Sequence, residues 1–305
     1  MKRLSFCAIF LLAALAAVGQ INIADSTMQV VGYWDMNESL TYVVYNQSVR
    51  TQGADTLLNE YTRYEVDVTI VDSTENSYTI KWHYRDYFIE TDNEVMKRLS
   101  SIFEDMSVLI KTDELGSFLE IINWEEIKTF MLITTALMRE EFKEIPNMDQ
   151  FIAHYEALYS TKEAIQNSAI DEIHQYYYFH GLNYKLHEEY NSQSTIQNRF
   201  GGEPFNADIT FWLDDINPDD NNAIFRMTQV VDSDELTNAT FEYLTSMANM
   251  LGTPPSSRDD FPALTNEITR ASRIHGSGWV IYSIDTKEVK AENVLQVDTR
   301  IVELK

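Results

Sequence analysis

The chain alternates apolar and polar residues over long stretches. Tyr64, Val66, Val68 and Ile70 fall on one face of an extended segment, and Arg63, Glu65, Asp67 and Thr69 on the other. Tyr78, Ile80, Trp82 and Tyr84 repeat the pattern against Thr79, Lys81, His83 and Arg85. Period two with one polar face is the signature of a half-buried antiparallel strand. The intervening Asp72-Ser73-Thr74-Glu75-Asn76 is turn chemistry. Residues 40–49 read as an earlier strand of the same sheet. Later alternating runs cover 182–190, 207–213, 223–231, 264–274, 279–286 and 294–304. A hairpin spans 107–111 and 118–122 around Asp113-Glu114-Leu115-Gly116.

Helical spacing interrupts these strands. Thr91 with Glu94 forms a capping box ahead of Val95, Met96, Leu99, Ile102 and Phe103. Asn123 with Glu126 opens a longer helix striped by Ile127, Phe130, Met131, Thr134, Leu137 and Met138, and Pro146 ends it. Phe151, Tyr155 and Leu158, then Ile165, Ile170, Ile173 and Tyr177, predict one or two more helices. Asp232 with Glu235 caps a last one, which Gly252 and Pro254-Pro255 stop.

An isolated hairpin is marginal in water, so strands on both sides of the helical block are expected to share one sheet. The predicted fold class is α+β: a large curved antiparallel sheet, half-barrel-like, with helices packed on one face. Residues 20–305 are read as one such domain with a helical block at about 123–180; a split into two domains within 123–181 is the alternative.

The first residues read as a signal peptide over 1–19. Lys2 and Arg3 precede an apolar run from 4 to 15, and Ala17-Val18-Gly19 meets the small-x-small cleavage rule. Cleavage there leaves Gln20 first. The only cysteine, Cys7, lies inside this segment, so the mature chain is expected to have no disulfide, no thiol nucleophile and no lipid anchor at the cleavage point. Export without disulfides points to a bacterial envelope, periplasmic or extracellular.

Charge narrows the partners. The chain has 305 residues with 48 acids against 23 bases, a net charge of −25, and cleavage removes two of the bases. Nucleic acid is therefore not an expected partner. An apolar fraction of 44% excludes a disordered chain. Acids concentrate between Glu203 and Glu235, a stretch that fits either a solvated surface or the docking of a basic protein.

Candidate chemistry is sparse. Asp215, Asn217 and Asp219 match the alternating oxygen ligands of a calcium loop. That loop's glycine position holds Asp220, however, and its final bidentate acid is replaced by Arg226. A solvated hairpin loop is the competing interpretation, and calcium is the one cofactor this pattern suggests. The six histidines lack zinc spacing, since His174 and His180 are six apart. His275-Gly276-Ser277-Gly278 lacks the spacing of a nucleophile elbow and reads as a turn. No catalytic residue is assigned. Aromatics are in excess, with 15 Phe, 17 Tyr and 5 Trp, and Tyr176-Tyr177-Tyr178-Phe179 cannot all face one core. Core packing is the default for such rings, and a binding surface the alternative.

Gln20 after the cleavage site, the run from Lys111 to Gly116 leading to Asn123-Trp124-Glu125-Glu126, and the closing meander from Gly278-Trp279 to Leu304 carry a resemblance. In these the chain resembles uncharacterised exported proteins of the Bacteroidota envelope. Its long strands around a helical block are also architecturally similar to periplasmic lipoprotein carriers of the LolA/LppX type. That second resemblance implies an acyl ligand between sheet and helices, here against Trp82, Tyr84, Phe130 and Met131. The expected function is a non-enzymatic envelope protein that binds an apolar small molecule or a protein partner. The alternatives are a hydrolase acting on an envelope polymer through acidic residues and an assembly protein using the acidic patch.

Overall fold

The computed structural model describes residues 21–91, 106–144, 149, 152–153, 156–157, 159–168, 170–198, 202–250 and 253–305. The signal segment, the capping box around Glu94, Pro146, Phe151, Tyr155, Leu158 and Gly252 lie outside the described residues.

Eleven strands form one antiparallel sheet that stays open. In chain order these are β3 (Ser39–Gln52), β4 (Asp55–Thr74), β5 (Ser77–Glu90), β6 (Ser107–Asp113), β7 (Phe118–Ile121), β9 (Glu189–Ile196), β10 (Phe205–Asn217), β11 (Asn222–Val231), β12 (Leu264–His275), β13 (Val280–Ala291) and β14 (Val294–Leu304). Their spatial order is β7-β6-β5-β4-β3-β14-β13-β12-β11-β10-β9. Every neighbour is a sequence neighbour except one. β14, the last strand, pairs with β3 from Val294↔Gln52 to Leu304↔Tyr42, joining the two halves of the chain. A small sheet of β1 (Ile21–Asn22), β2 (Thr27–Gln29) and β8 (Asn183–Lys185) stands apart. The run expected at 182–190 is thus divided between two sheets, with His187 in the left-handed region at φ 60° where the chain changes sheet.

The alternation places side chains as expected. Val66 pairs Tyr84 and Ile70 pairs Ile80, and these side chains are buried together with Trp82. The hairpin of β6 and β7 turns on Asp113, whose Oδ1 accepts from the N–H groups of Leu115 and Ser117. Its carboxylate satisfies the turn's free donors, which explains an aspartate there.

Four helices are described: α1 (Trp124–Glu141), α2 (Lys162–Ser168), α3 (Asp171–Tyr177) and α4 (Ser233–Met250). The expected cap on α4 forms, with Asp232 Oδ1 accepting from Glu235 N at 2.8 Å. The expected cap on α1 does not. Asn123 turns its amide to β6 instead, accepting from Leu109 N and donating to Ser107 O. Those strand-end groups need partners as much as the helix does. The stripe of α1 is also narrower than its spacing predicts. Ile127, Met131, Thr134 and Met138 are buried, whereas Leu137 is 65% exposed; among the described residues α1 packs on β6 and α2 and bonds Glu156 through Thr135 and Arg139.

Helices α3 and α4 cover the same face of the sheet. Gln175 of α3 donates to Ser283, whose hydroxyl shares a hydrogen bond with Ser272 of β12. Leu236 of α4 packs with Leu264, an even-numbered β12 residue like Ser272 and therefore on the same face. Three rings of the 176–179 run are core: Tyr176, Tyr177 and Phe179 are buried. Tyr176 Oη accepts from Val280 N at 3.2 Å and bonds Tyr42 Oη at 2.9 Å.

One end of this inner face is closed by the segment 30–34. Val30 N bonds Leu182 O, Gly32 N bonds Leu115 O, and Tyr33 N bonds Ser277 O, so three turns are tied to one strap. Trp34 inserts among Tyr78, Tyr177, His180 and Trp279. Gly278 is required beneath the strap, since a Cβ there would lie 2.4 Å from Val31 O at φ 83°.

The chain end is fastened across two strands. Lys305 Nζ reaches both oxygens of Glu65 on β4, at 2.8 and 2.9 Å, and Arg63 and Arg85 also contact this carboxylate. Lys305 above all holds the Glu65 carboxyl below its ordinary range, against the opposing effect of burial and with help from Arg63 and Arg85. Glu65→Gln should cost about 1–2 kcal/mol at pH 7, since the three cations can rehydrate. A lowered carboxyl contributes stability above its unfolded pKa and loses it as the solution becomes more acid. Urea titrations should therefore separate variant from wild type at pH 7, and the gap should narrow as the pH falls below the ordinary carboxylate range.

Candidate functional site

The inner face of the sheet is apolar near Trp34 and polar farther along the same strands. Tyr42 and Val44 of β3 give way to Asn46 and Ser48, and Val302 of β14 gives way to Arg300 and Asp298. Ser283 is followed by Asp285 and Lys287, and Ser272 is preceded by Arg270 and Ile268. Period two carries the change, so each polar residue continues the face of the apolar one two positions away. α3 ends above the boundary and α4 covers the far end around Leu264.

Beside α3, over the polar part of this face, lies a cavity of about 1040 Å³. Asp171, His174 and Tyr178 line its helix side, Phe118 its β7 edge, and Ile196, Met227 and Ile268 its apolar patch. Its size is at the upper end of small-molecule sites, roughly 300–1,000 Å³. Three bases (Arg270, Lys287, Arg300) meet four acids (Glu60, Asp171, Asp285, Asp298) in its lining.

Most of these charges are already matched. Arg270 grips Asp285 with two hydrogen bonds, Nε to Oδ1 and Nη2 to Oδ2, both at 2.5 Å. Its guanidinium carbon sits 4.4 Å from the centre of the Tyr178 ring, a cation–π stack. Ser48 and Gln296 both donate to Asp298. Arg300 donates to Asn46 and Asp171. Burial works to lower the Arg300 pKa, but the charges of Glu172 and Asp171 outweigh it, so this guanidinium stays protonated. Glu172 itself is buried and accepts from Tyr84 Oη.

Trp82 and Tyr84 are buried in the main core under α3; Met131 is buried on α1 and Phe130 is half-buried. None of the four lines the cavity. Tyr178, Arg270 and Arg300, which do, carry no sequence motif. Only the arithmetic that one of four consecutive rings must leave the core pointed toward Tyr178.

The acidic loop is shorter than expected. β10 runs to Asn217 and β11 begins at Asn222, so Asp214 and Asp215 are strand residues, the latter paired with Ile224. Asn217 Oδ1 accepts from the N–H groups of Asp219 and Asp220, folding the turn back on itself. Asp214 pairs with Arg226 at 2.7 Å. Among the described residues no three His, Cys, Asp or Glu side chains gather closely enough to hold a metal ion. In the turn before β13, His275 Nδ1 accepts from Ser277 N at 3.1 Å and lies 2.8 Å from Ser277 Oγ. Both contacts are local to that turn, and the cavity lies elsewhere.

No protein-family profile matches the chain, and no curated protein matches it. The Bacteroidota resemblance therefore rests on the residues quoted for it. Among solved structures, one described as lipid–protein interactions in lipovitellin aligns at 10% identity and a TM-score of 0.40. It covers 89% of this chain and 25% of its own, so the chain spans about a quarter of that protein. An outer membrane channel from Pseudomonas putida F1 aligns at 7% identity and a TM-score of 0.17, over 90% of this chain and 98% of its own. At these scores neither likeness carries an argument about function. No described helix is long and apolar enough to cross a membrane.

His180 stands at the closed end of the cavity, with Nε2 donating to Gly278 O at 2.7 Å. Burial pushes its pKa from 6.5 down to about 4, and its backbone hydrogen bonds only partly offset this. The unfolded chain therefore takes up a proton that the folded one refuses between those values. Stability should fall by about 3 kcal/mol from this residue as pH drops from 7 to 4. A urea-midpoint series across that range should show the slope reduced in His180→Gln.

Proposed function

We propose that the protein is an exported, non-enzymatic binding protein of the bacterial envelope that holds an amphiphilic small molecule on the inner face of its open sheet. The observation that carries this reading is the cavity of about 1040 Å³ between the inner face of the sheet and α3. Its Ile196, Met227, Ile268 and Phe118 side offers an apolar surface, and its Asn46, Ser48, Gln229 and Arg270 side offers hydrogen bonds. Ligand sites combine an apolar lining with a few converging polar groups in this way. Export is supported by Lys2-Arg3, the apolar run and Ala17-Val18-Gly19. The absence of a cysteine after Cys7 agrees with release rather than lipidation at the cleavage point.

The test has two parts. Expression of the full chain in a Gram-negative host, followed by fractionation and N-terminal sequencing, should find Gln20 first in the periplasm or medium. Native mass spectrometry of that material, with solvent extraction, should find an amphiphile bound one to one. Ile268→Trp should project a ring into the apolar side of the cavity and lower occupancy at least tenfold with little change in melting temperature. An unclipped cytoplasmic product would defeat the export part. Absence of any added or co-purified amphiphile at micromolar concentration would defeat the binding part.

A further inference from the structure

A second hollow lies where β5 stops. Its last residue, Glu90, pairs Tyr61, while β4 continues back to Asp55 with only β3 beside it among the described residues. At this step is a space of about 750 Å³, lined by Gln47, Asn59, Tyr61, Phe88 and Glu90 among others. Register puts these side chains on the outer face of the sheet. Tyr45 pairs Arg63, Gln47 pairs Tyr61 and Val49 pairs Asn59, whereas Val44, Asn46 and Ser48 between them face inward. On β5, Phe88 pairs Arg63 and Glu90 pairs Tyr61. Tyr45, Tyr61 and Phe88 thus form a row of rings across three strands, with successive centroids 6.2 and 6.5 Å apart. Phe88 is 53% exposed.

A single open ring is ordinary on a protein surface. Here the rings stand beside accessible hydrogen-bonding groups. Gln47 Nε2 donates to Asn59 Oδ1 at 3.1 Å. That bond orients both amides and leaves the Asn59 nitrogen as a donor and the Gln47 oxygen as an acceptor, on two exposed side chains. Glu90, also exposed, adds a carboxylate that can accept two hydroxyls. Donors, acceptors and aromatic faces converge on one hollow, as they do in sites for small polar ligands.

Charge narrows the ligand. No base lines the hollow among the described residues, and the chain carries a net charge of −25, so an anion is disfavoured. An organic cation could stack on the rings, but it would leave both amides unused. Arg63, opposite Phe88 and Tyr45 in the ladder, already supplies a cation there. A sugar ring uses everything present. Its C–H face packs on the negative face of an aromatic ring, and its rim of hydroxyls needs both donors and acceptors. We propose that the outer face at the end of β5 binds an uncharged oligosaccharide, which stacks on Phe88 and Tyr61 and hydrogen-bonds Asn59, Gln47 and Glu90 through its hydroxyls. This site is distinct from the amphiphile cavity. Neither ring lines that cavity, and only Gln47 borders both.

Isothermal titration of the mature protein tests this with three neutral probes, cellohexaose, maltohexaose and chitohexaose, and two charged ones, hexagalacturonate and choline. At least one neutral probe should bind, with the same affinity at low and high salt. Phe88→Ala and Asn59→Ala, both at exposed positions, should each weaken it at least tenfold without lowering the melting temperature. Phe88→Trp should retain it. Binding by none of the neutral probes at millimolar concentration would overturn the proposal, as would tighter binding of hexagalacturonate or choline. Unchanged affinity in a folded Phe88→Ala would overturn it too. If that variant fails to fold, Asn59→Ala decides by the same criterion. None of these outcomes bears on the amphiphile reading, whose own test is made at Ile268 in the larger cavity.

Discussion

The pairing of β14 with β3 is the contact on which the rest of the molecule depends. Each half of the chain is otherwise a local meander, β3 to β7 on one side and β9 to β13 on the other. The ladder from Val294↔Gln52 to Leu304↔Tyr42 makes them one sheet, and Lys305 on Glu65 extends the join to β4. Closing a loop of this length is entropically costly and tends to come late. It also creates the inner face. Asn46 and Ser48 from one half meet Asp298 and Arg300 from the other across this seam, and Ser48 Oγ donates to Asp298 there.

A sheet of this width has two faces to satisfy. At one end of the inner face α3 and the strap at 30–34 supply a dry aromatic core, with Trp34, Trp82, Tyr176 and Tyr177 in mutual contact. Several of its buried hydroxyls are bonded, Tyr42 with Tyr176 and Tyr84 with Glu172. At the other end α4 covers a smaller apolar cluster around Phe205 and Leu236. The middle is left to the matched charges described above. That region cannot be a dry core, because burying so many ionised groups would require a partner for each. A polar cavity flanked by two apolar caps is the arrangement such a sequence permits.

Much of this was legible in local pattern. Alternation located most strands of both meanders, because period two reports a sheet face whatever lies opposite, but β4 begins at Asp55, well before the run at Tyr64, and β9 extends to Ile196, past the run expected to end at Tyr190. Turn chemistry located the β6–β7 hairpin and the glycine turn before β13. The cap of α4 was likewise visible in Asp232 and Glu235. Misreadings arose where a side chain had a competing tertiary partner. Asn123 bonds β6 and the Glu126 side chain instead of capping a helix N–H, Leu137 faces outward, and the run at 182–190 is shared between two sheets.

The sequence by itself thus determined the elements, their faces, the acidic surface and the lack of any catalytic signature, since these follow from neighbouring residues. Only the tertiary structure decided which strands meet and which polar residues share a cavity. Arg270, Asp285 and Tyr178 lie far apart in the chain and carry no spacing that distinguishes them from other charges and rings. Their association is set by the register of β12 on β13 and by where α3 ends, and register is a property of the whole sheet. The aromatic residues behaved in the same way. Local sequence required one ring of the 176–179 run to leave the core, but the packing of α3 selected Tyr178, which lines the cavity.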